Sequence, residues 1–166
     1  MTIIYYSEIN LICIILLFIF KRQMRYNGGQ LSADSRIFGM ILWATGIMCA
    51  SDMVAGICRG QLFGGARALI EISNLIYYEA ISVICFLWMA YVFTKLKIIE
   101  NKKELFPWSI PLIAISIVTL INPFTHWLFK VDENNLYARN AGIYFHWIVI
   151  SIVNIASLLT TYFRLH

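Results

Sequence analysis

Carboxylic acids interrupt the long apolar segments of this sequence at four positions: Glu8, Asp52, Glu71 and Glu79. A charged carboxylate at the centre of a bilayer costs about 2.5–3.5 kcal/mol on insertion scales, so such groups pair with cations or face a polar cavity. Two kinds of chemistry therefore fit these residues. They form ion pairs that fix helix packing, or they line a pocket for a small molecule, an ion or a peptide.

Further polar side chains recur along the same segments at helical spacing. At about 100° per residue, Asn74 and Tyr78 share one helical face with Glu71, and Glu79 lies at the edge of that face. His146 begins a similar polar face in the last apolar segment. Polar faces within a membrane bundle point inward or into a water-filled cavity.

These observations leave a structural and a functional interpretation open. In the structural one, the carboxylates pair with Arg59, Arg67 or Arg139 and fix helix register. In the functional one, acidic groups, arginines and tyrosines line an outward-facing pocket. The candidate ligand-binding residues are Glu8, Asp52, Glu71, Asn74, Tyr78, Glu79, Asn135, Tyr137, Arg139 and His146, with Arg59 and Arg67 as ion-pair partners.

Catalytic and metal-binding motifs are absent from the sequence. HExxH, GxSxG and the phosphate-binding P-loop do not occur. His126 and His146 have no further ligands near them in sequence and fit an interfacial aromatic belt beside Trp127 and Trp147. We expect no enzymatic activity, no metal and no cofactor, although a carboxylate relay for protons is an alternative use of the acidic residues.

The composition indicates that lipid is the solvent of this chain. Of 166 residues, 60% are hydrophobic and 13% are charged, whereas soluble domains are about 25% charged. Because lipid offers no hydrogen-bond partners, the spanning segments must be helical. We predict an all-α integral membrane bundle forming a single domain over residues 1–166, with five transmembrane helices at about 3–20, 37–57, 69–94, 106–122 and 143–163.

The distribution of basic residues predicts the orientation. One side carries Lys21, Arg22, Arg25, Arg36, Lys95, Lys97, Lys102, Lys103 and Arg164. The other side carries Arg59, Arg67, Lys130 and Arg139. By the positive-inside rule, the richer side is cytoplasmic, so the N-terminus and the loop 123–142 are external and the C-terminus is cytoplasmic. We expect a multi-pass protein of a bacterial plasma membrane whose net charge of +4 reflects topology and not nucleic-acid binding.

Four stretches of the sequence carry a resemblance to a known family: YYSEINLICIILL, CASDMVAGICRGQ, ARALIEISNLIYYEAIS and NPFTHWLFKVDENNLYARNAGIYFHW. Together they resemble the membrane-embedded N-terminal input region of clostridial-type diguanylate cyclases. The most specific part is the last, where such proteins show an acidic-Asn-Asn-x-Tyr-x-Arg-Gly run. Here the run reads from Glu133 to Arg139, with Asn140 in place of the glycine.

The resemblance implies a sensory input module. Such a module would bind an extracellular small ligand and relay a helix shift to a cytoplasmic diguanylate cyclase domain, through which it would form a homodimer. This sequence contains no GGDEF motif, so we expect a truncated or partial sensor that cannot itself make cyclic di-GMP. The alternatives are a subunit of a small-molecule or ion transporter, and a structural membrane protein. The loop 123–142 is correspondingly an ordered lid over the external site or a solvated turn.

Overall fold

The computed structural model describes residues 2–26, 33–98 and 102–165, and most of them are helical. The helices are α1 (Thr2–Tyr26), α2 (Ala33–Cys58), α3 (Ala66–Lys95), α4 (Phe106–Leu120), α5 (Asn122–Thr125) and α6 (Gly142–Leu165). A 3₁₀ turn, Lys102–Leu105, leads into α4. Between α5 and α6, the strands β1 (Phe129–Val131) and β2 (Tyr137–Arg139) form an antiparallel hairpin.

Four helical segments are long and apolar enough to cross a membrane. They are Ala33–Cys58, Ala66–Lys95, Lys103–Leu120 and Gly142–Arg164. They indicate a membrane protein and agree with the predicted all-α bundle; the short hairpin was not part of that prediction. The first predicted segment lies within α1, a helix of 25 residues. The count of five spans and their orientation stay predictions.

α2 and α3 form the centre of the bundle. α1 packs against α2, while α3 contacts α2, α4 and α6. On α2, Gly46 faces α1, where an added Cβ would lie 3.9 Å from Leu17 Cδ1, an ordinary van der Waals distance. At the opposite end of the bundle from the hairpin, Lys95 Nζ of α3 lies 2.8 Å from Asp34 Oδ2 of α2. α3 therefore runs as one continuous helix between the two ends.

The apolar core lies between α3, α4 and α6. Met89 and Phe93 of α3 pack against Leu112 and Ile115 of α4 and Ile150 of α6. The outer faces of the helices expose many large apolar side chains, which is typical of surfaces that contact lipid. Smaller apolar clusters continue this packing along α3 toward the hairpin end.

The hairpin packs into the end of the bundle. In β1, Phe129 and Val131 are buried and Lys130 is exposed, which is the alternation of a strand with one packed face. The Phe129 ring stacks on Tyr78 of α3, with centroids 5.7 Å apart. Val131 joins a second cluster with Ile70 of α3. β1 thus fixes the hairpin against α3.

The junction with α6 depends on Gly142. A Cβ on this residue would lie 2.6 Å from Trp127 Cδ2 and 2.7 Å from the Trp127 carbonyl oxygen. Asn140 is not among the residues with a left-handed backbone conformation in the described part of the chain. Its side-chain amide donates a hydrogen bond to the carbonyl oxygen of His126. Asn140 therefore suits its position, and the glycine that this turn requires lies two residues later.

We predict that Gly142→Ala destabilises the protein and that Gly39→Ala does not. The added methyl group must displace Trp127, and overpacking of this kind costs about 1–3 kcal/mol. At Gly39 in α2 nothing lies within 4 Å of the place that an added methyl group would occupy, and alanine is the better helix former. Thermal unfolding in detergent measures both variants. Equal melting temperatures would contradict the close packing of Gly142 on Trp127.

Candidate functional site: a polar cavity under the hairpin

A cavity of about 690 Å³ lies at the hairpin end of the bundle. Its walls come from α1, α2, α3, the α2–α3 connection and the hairpin. The lining residues are Asn10, Asp52, Met53, Ala55, Gly56, Arg59, Gly60, Asn74, Tyr77, Tyr78, Leu136, Tyr137 and Arg139. The volume lies within the range of about 300–1,000 Å³ that is usual for small-molecule sites, and the wall combines apolar surface with a few convergent polar groups.

Asp52 supplies the negative charge of the cavity. It lies in the last two turns of α2, where it is half-buried. Asn10 Nδ2 of α1 donates a hydrogen bond of 2.7 Å to Asp52 Oδ2. This contact connects α1 to the cavity wall and orients the carboxylate, and it leaves the charge of Asp52 uncompensated because the asparagine is neutral.

Three tyrosines form the aromatic part of the wall. Tyr78 is 2% exposed, and its hydroxyl lies 2.5 Å from the hydroxyl of Tyr137 on β2. Tyr77 meets Tyr78 edge-on, with ring centroids 5.3 Å apart. The Tyr78–Tyr137 hydrogen bond therefore couples α3 directly to the hairpin at the edge of the cavity.

Two arginines supply positive charge. Arg59 follows the last residue of α2, and Arg139 ends β2. Partial burial lowers the pKa of the Arg139 guanidinium, but its hydrogen bond to Tyr137 and its electrostatic interactions with the cavity tyrosines raise the pKa, so that it lies above its ordinary value. Arg139 is therefore cationic at every physiological pH.

The side chain of Asn122 holds the base of the hairpin in place. It is 1% exposed. Its Oδ1 accepts hydrogen bonds from the backbone N–H groups of Leu128, at 2.7 Å, and Phe129, at 3.3 Å. Its Nδ2 donates to the Phe129 carbonyl oxygen at 3.0 Å. One buried side-chain amide thus forms hydrogen bonds with three backbone groups that have no partner within a helix or a strand. Buried backbone groups require such partners.

The turn of the hairpin is built by Asp132 and Asn135. Asp132 Oδ1 accepts hydrogen bonds from the backbone N–H groups of Asn134 and Leu136, an Asx turn. Asn135 adopts the left-handed conformation, with φ 58°. Its Nδ2 donates to the Gln61 carbonyl oxygen at 2.6 Å, and its own carbonyl oxygen accepts from Gly60 N. The polar run in this loop therefore fastens the hairpin to the α2–α3 connection.

The structure brings together about half of the candidate residues named from the sequence. Asp52, Asn74, Tyr78, Tyr137 and Arg139 line the cavity. Arg59, predicted as an ion-pair partner, lines it as well and forms no ion pair within the described residues. Arg67 does form an ion pair, with its Nε 3.1 Å from Glu71 Oε1 on the exposed side of α3.

Five candidates lie outside the cavity. Glu8 is exposed on α1, and Glu71 pairs with Arg67. Glu79 contacts Ser116 of α4 and has one buried oxygen, Oε1, without a hydrogen-bond partner. Asn135 serves the turn described above. His146 is buried behind Tyr78, with the two ring centroids 5.4 Å apart.

Sequence reasoning missed Asn10 and Tyr77 as lining residues. Asn10 is a polar residue inside an apolar run, so the argument that singled out Glu8 two residues earlier applies to it as well. Tyr77 precedes Tyr78 in the sequence but lies on a different side of α3. It was therefore not part of the polar helical face on which the prediction was based. Gly60 and Leu136 also line the cavity. They lie in turns, and the sequence does not show that these turns are close to the cavity.

Neither a metal site nor a known relative explains the cavity. Within residues 2–26, 33–98 and 102–165, no three histidine, cysteine, aspartate or glutamate side chains gather as metal ligands would. Comparison of the chain with protein-family models, curated proteins and solved structures finds no match. The function must therefore be argued from the cavity itself.

We predict that Tyr78→Phe and Tyr137→Phe each lower the free energy of unfolding and that their effects are not additive. The two hydroxyls bond to each other, so the second substitution removes a group that has already lost its partner. A neutral hydrogen bond of this kind contributes about 0.5–1.5 kcal/mol, which a double-mutant cycle measures as the coupling energy. As a control, Tyr91→Phe, in the half of α3 farther from the hairpin, should combine additively with Tyr137→Phe. Full additivity of Tyr78→Phe with Tyr137→Phe would contradict the hydrogen bond.

Proposed function

We propose that this chain is a membrane sensory input module that binds an extracellular ligand in the polar cavity and relays a helix shift to a cytoplasmic output. The observation that carries the proposal is the cavity itself, in which charged and aromatic groups from three helices and one hairpin converge. In a bundle whose other surfaces are apolar, such a concentration of polar groups is a functional-site hypothesis by default.

The external orientation of the cavity is supported by the charge distribution. Among the side chains described, the end opposite the hairpin carries Lys21, Arg22, Arg36, Lys95, Lys97, Lys103 and Arg164. The hairpin end carries Arg59, Arg67, Lys130 and Arg139. The side chains of Arg25 and Lys102, which entered the same prediction, lie outside the described residues. The excess favours a cytoplasmic position for the end opposite the hairpin in a bacterial plasma membrane.

α3 is suited to carry a signal between the two ends. Near its beginning it presents Asn74, Tyr77 and Tyr78 to the cavity, and at its last residue it pairs Lys95 with Asp34 of α2. A ligand that pulls the hairpin toward α2 would act on α3 through the Tyr78–Tyr137 bond. Shifts of about 1–2 Å between packed helices are a common form of such coupling. The output, by the resemblance of the sequence, is a diguanylate cyclase domain.

A transport subunit is the second candidate, and one observation favours it. Polar groups continue behind the cavity toward the bundle interior, where Ser82 Oγ lies 3.5 Å from His146 Nε2 and His146 Nδ1 has no hydrogen-bond partner. Buried polar groups in this arrangement are typical of ion or proton routes. Transport would accumulate the ligand in cells, whereas a sensor would leave it outside.

The sensor proposal predicts a ligand-dependent signal that requires Arg139. The chain is fused to a GGDEF reporter domain, and cyclic di-GMP is measured in cells while external small molecules are varied. We expect a compound that changes the signal of the parent fusion and leaves that of the Arg139→Gln fusion unchanged, because the variant loses a cation of the cavity wall. The matched control is Arg67→Gln, which removes an arginine outside the cavity and should keep the response.

Two results would count against the proposal. One is a signal that stays constant across the compounds while the fusion is folded in the membrane. The other is a response that Arg67→Gln abolishes and Arg139→Gln preserves.

A further inference from the structure

The cavity combines fixed charges of both signs that do not pair with one another. Asp52 faces it from α2, Arg59 from the end of α2, and Arg139 from β2. The ion pairs found within the described residues are Arg67–Glu71 and Lys95–Asp34, and neither involves these three side chains. Opposite charges held in one cavity without contact leave both available to a ligand, which would have to carry both charges to match them.

The spacing of the charges sets the size of the ligand. Asp52 and Arg59 are seven residues apart, and the helical hydrogen bond from Arg59 N to the Ala55 carbonyl oxygen continues α2 to that point. At 1.5 Å per residue, their Cα atoms are about 10 Å apart along the helix. An extended tripeptide spans about the same distance. The cavity volume of about 690 Å³ also exceeds the needs of a single amino acid.

The aromatic wall suits a cationic group. Tyr77 lines the cavity together with Asp52 and Arg139 and interacts electrostatically with both of them. An ammonium group beside Asp52 would have a carboxylate for an ion pair and a tyrosine ring for a cation–π contact. A carboxylate or phosphate would find the guanidinium forks of Arg59 and Arg139, which bind planar anions in a bidentate manner.

We propose that the cavity binds a zwitterion that carries an ammonium group and a carboxylate or phosphate several ångströms apart. Asp52 binds the ammonium group, and Arg139 with Arg59 binds the anion. A short peptide with free termini has this chemistry and spans the spacing of the charges, whereas the phosphoethanolamine headgroup of a lipid carries the same charges at a shorter separation. The inference deepens the proposed function and rests on it for the biological role, but the binding chemistry is testable without any signalling output.

The test is direct binding to the purified full chain in detergent. The probes are trialanine, N-acetyltrialanine, trialanine amide and phosphoethanolamine, and the readout is isothermal titration calorimetry. We expect trialanine to bind more tightly than phosphoethanolamine, because it matches the spacing of the charges. If trialanine binds, acetylation and amidation should each weaken it roughly tenfold or more, because each removes one charge-assisted contact.

Variants assign each end of the ligand to a residue. Asp52→Asn keeps a side chain that can bond to Asn10, and it should reduce the affinity for trialanine to that for N-acetyltrialanine. Arg139→Gln should remove the distinction between trialanine and its amide. Glu71→Gln and Arg67→Gln change the same types of charge outside the cavity and should preserve both distinctions. They control for a general effect of charge and for folding.

The results of these experiments distinguish a peptide ligand from a lipid headgroup, and they include results that contradict the proposal. Binding of trialanine with both distinctions supports a peptide ligand, whereas tighter binding of phosphoethanolamine that depends on Asp52 and Arg139 contradicts the spacing argument and indicates a lipid headgroup. Equal binding of all three tripeptide forms, or no binding of any probe at millimolar concentration, overturns the proposal. A reporter fusion that still responds to some other compound would then show that the sensor function stands without this ligand class.

Discussion

The hairpin between α5 and α6 must satisfy its backbone hydrogen bonds although it belongs to no larger sheet. Leu128, Phe129, Val131 and Asn135 are buried, and an unpaired buried amide or carbonyl group costs about 1–3 kcal/mol. Asn122 meets the requirement at the base of the hairpin, and Asp132 and Asn135 meet it at the turn. The rest of the hairpin end of the bundle depends on this arrangement.

The cavity is a consequence of how the hairpin is seated. With Phe129 and Val131 packed on α3, the paired strand β2 brings Tyr137 and Arg139 to the cavity wall. The hairpin thus brings a phenol and a guanidinium to a wall whose carboxylate comes from α2. Because Asn10 of α1 binds that carboxylate, three helices and the hairpin share one polar region, and a ligand there would contact all of them.

Much of the helical architecture could be predicted because it follows from local composition. Apolar runs of the required length form helices in lipid, and the cost of a buried carboxylate identified Asp52 from its position alone. Helical periodicity placed Asn74 and Tyr78 on one face for the same reason. The sequence also predicted Arg67 as an ion-pair partner, and its spacing of four residues from Glu71 suits the pair that the structure contains, but helical periodicity alone did not decide between pairing and ligand binding for Glu71.

The hairpin could not be predicted from local composition or periodicity. Its strands have three residues each, too few for an alternation to stand out from a loop. Asn122 and Gly142 act through contacts with Phe129 and Trp127, and the sequence does not reveal that these residues meet. His146, a predicted ligand-binding residue, is buried behind the Tyr78 ring. Helical periodicity indicates which face of α6 carries a side chain but not how deep in the bundle that side chain lies.

The most direct test of the account is the accessibility of the cavity from outside the cell. Met53 lines the cavity, while Arg36 is exposed near the other end of α2. Each is replaced by cysteine after the native Cys13, Cys49, Cys58 and Cys85 have been changed to alanine, and intact cells are treated with a membrane-impermeant maleimide. The account predicts that Met53→Cys is labelled in intact cells and that Arg36→Cys is labelled only after permeabilisation. The reverse pattern, or labelling of Arg36→Cys alone, would contradict an external polar cavity.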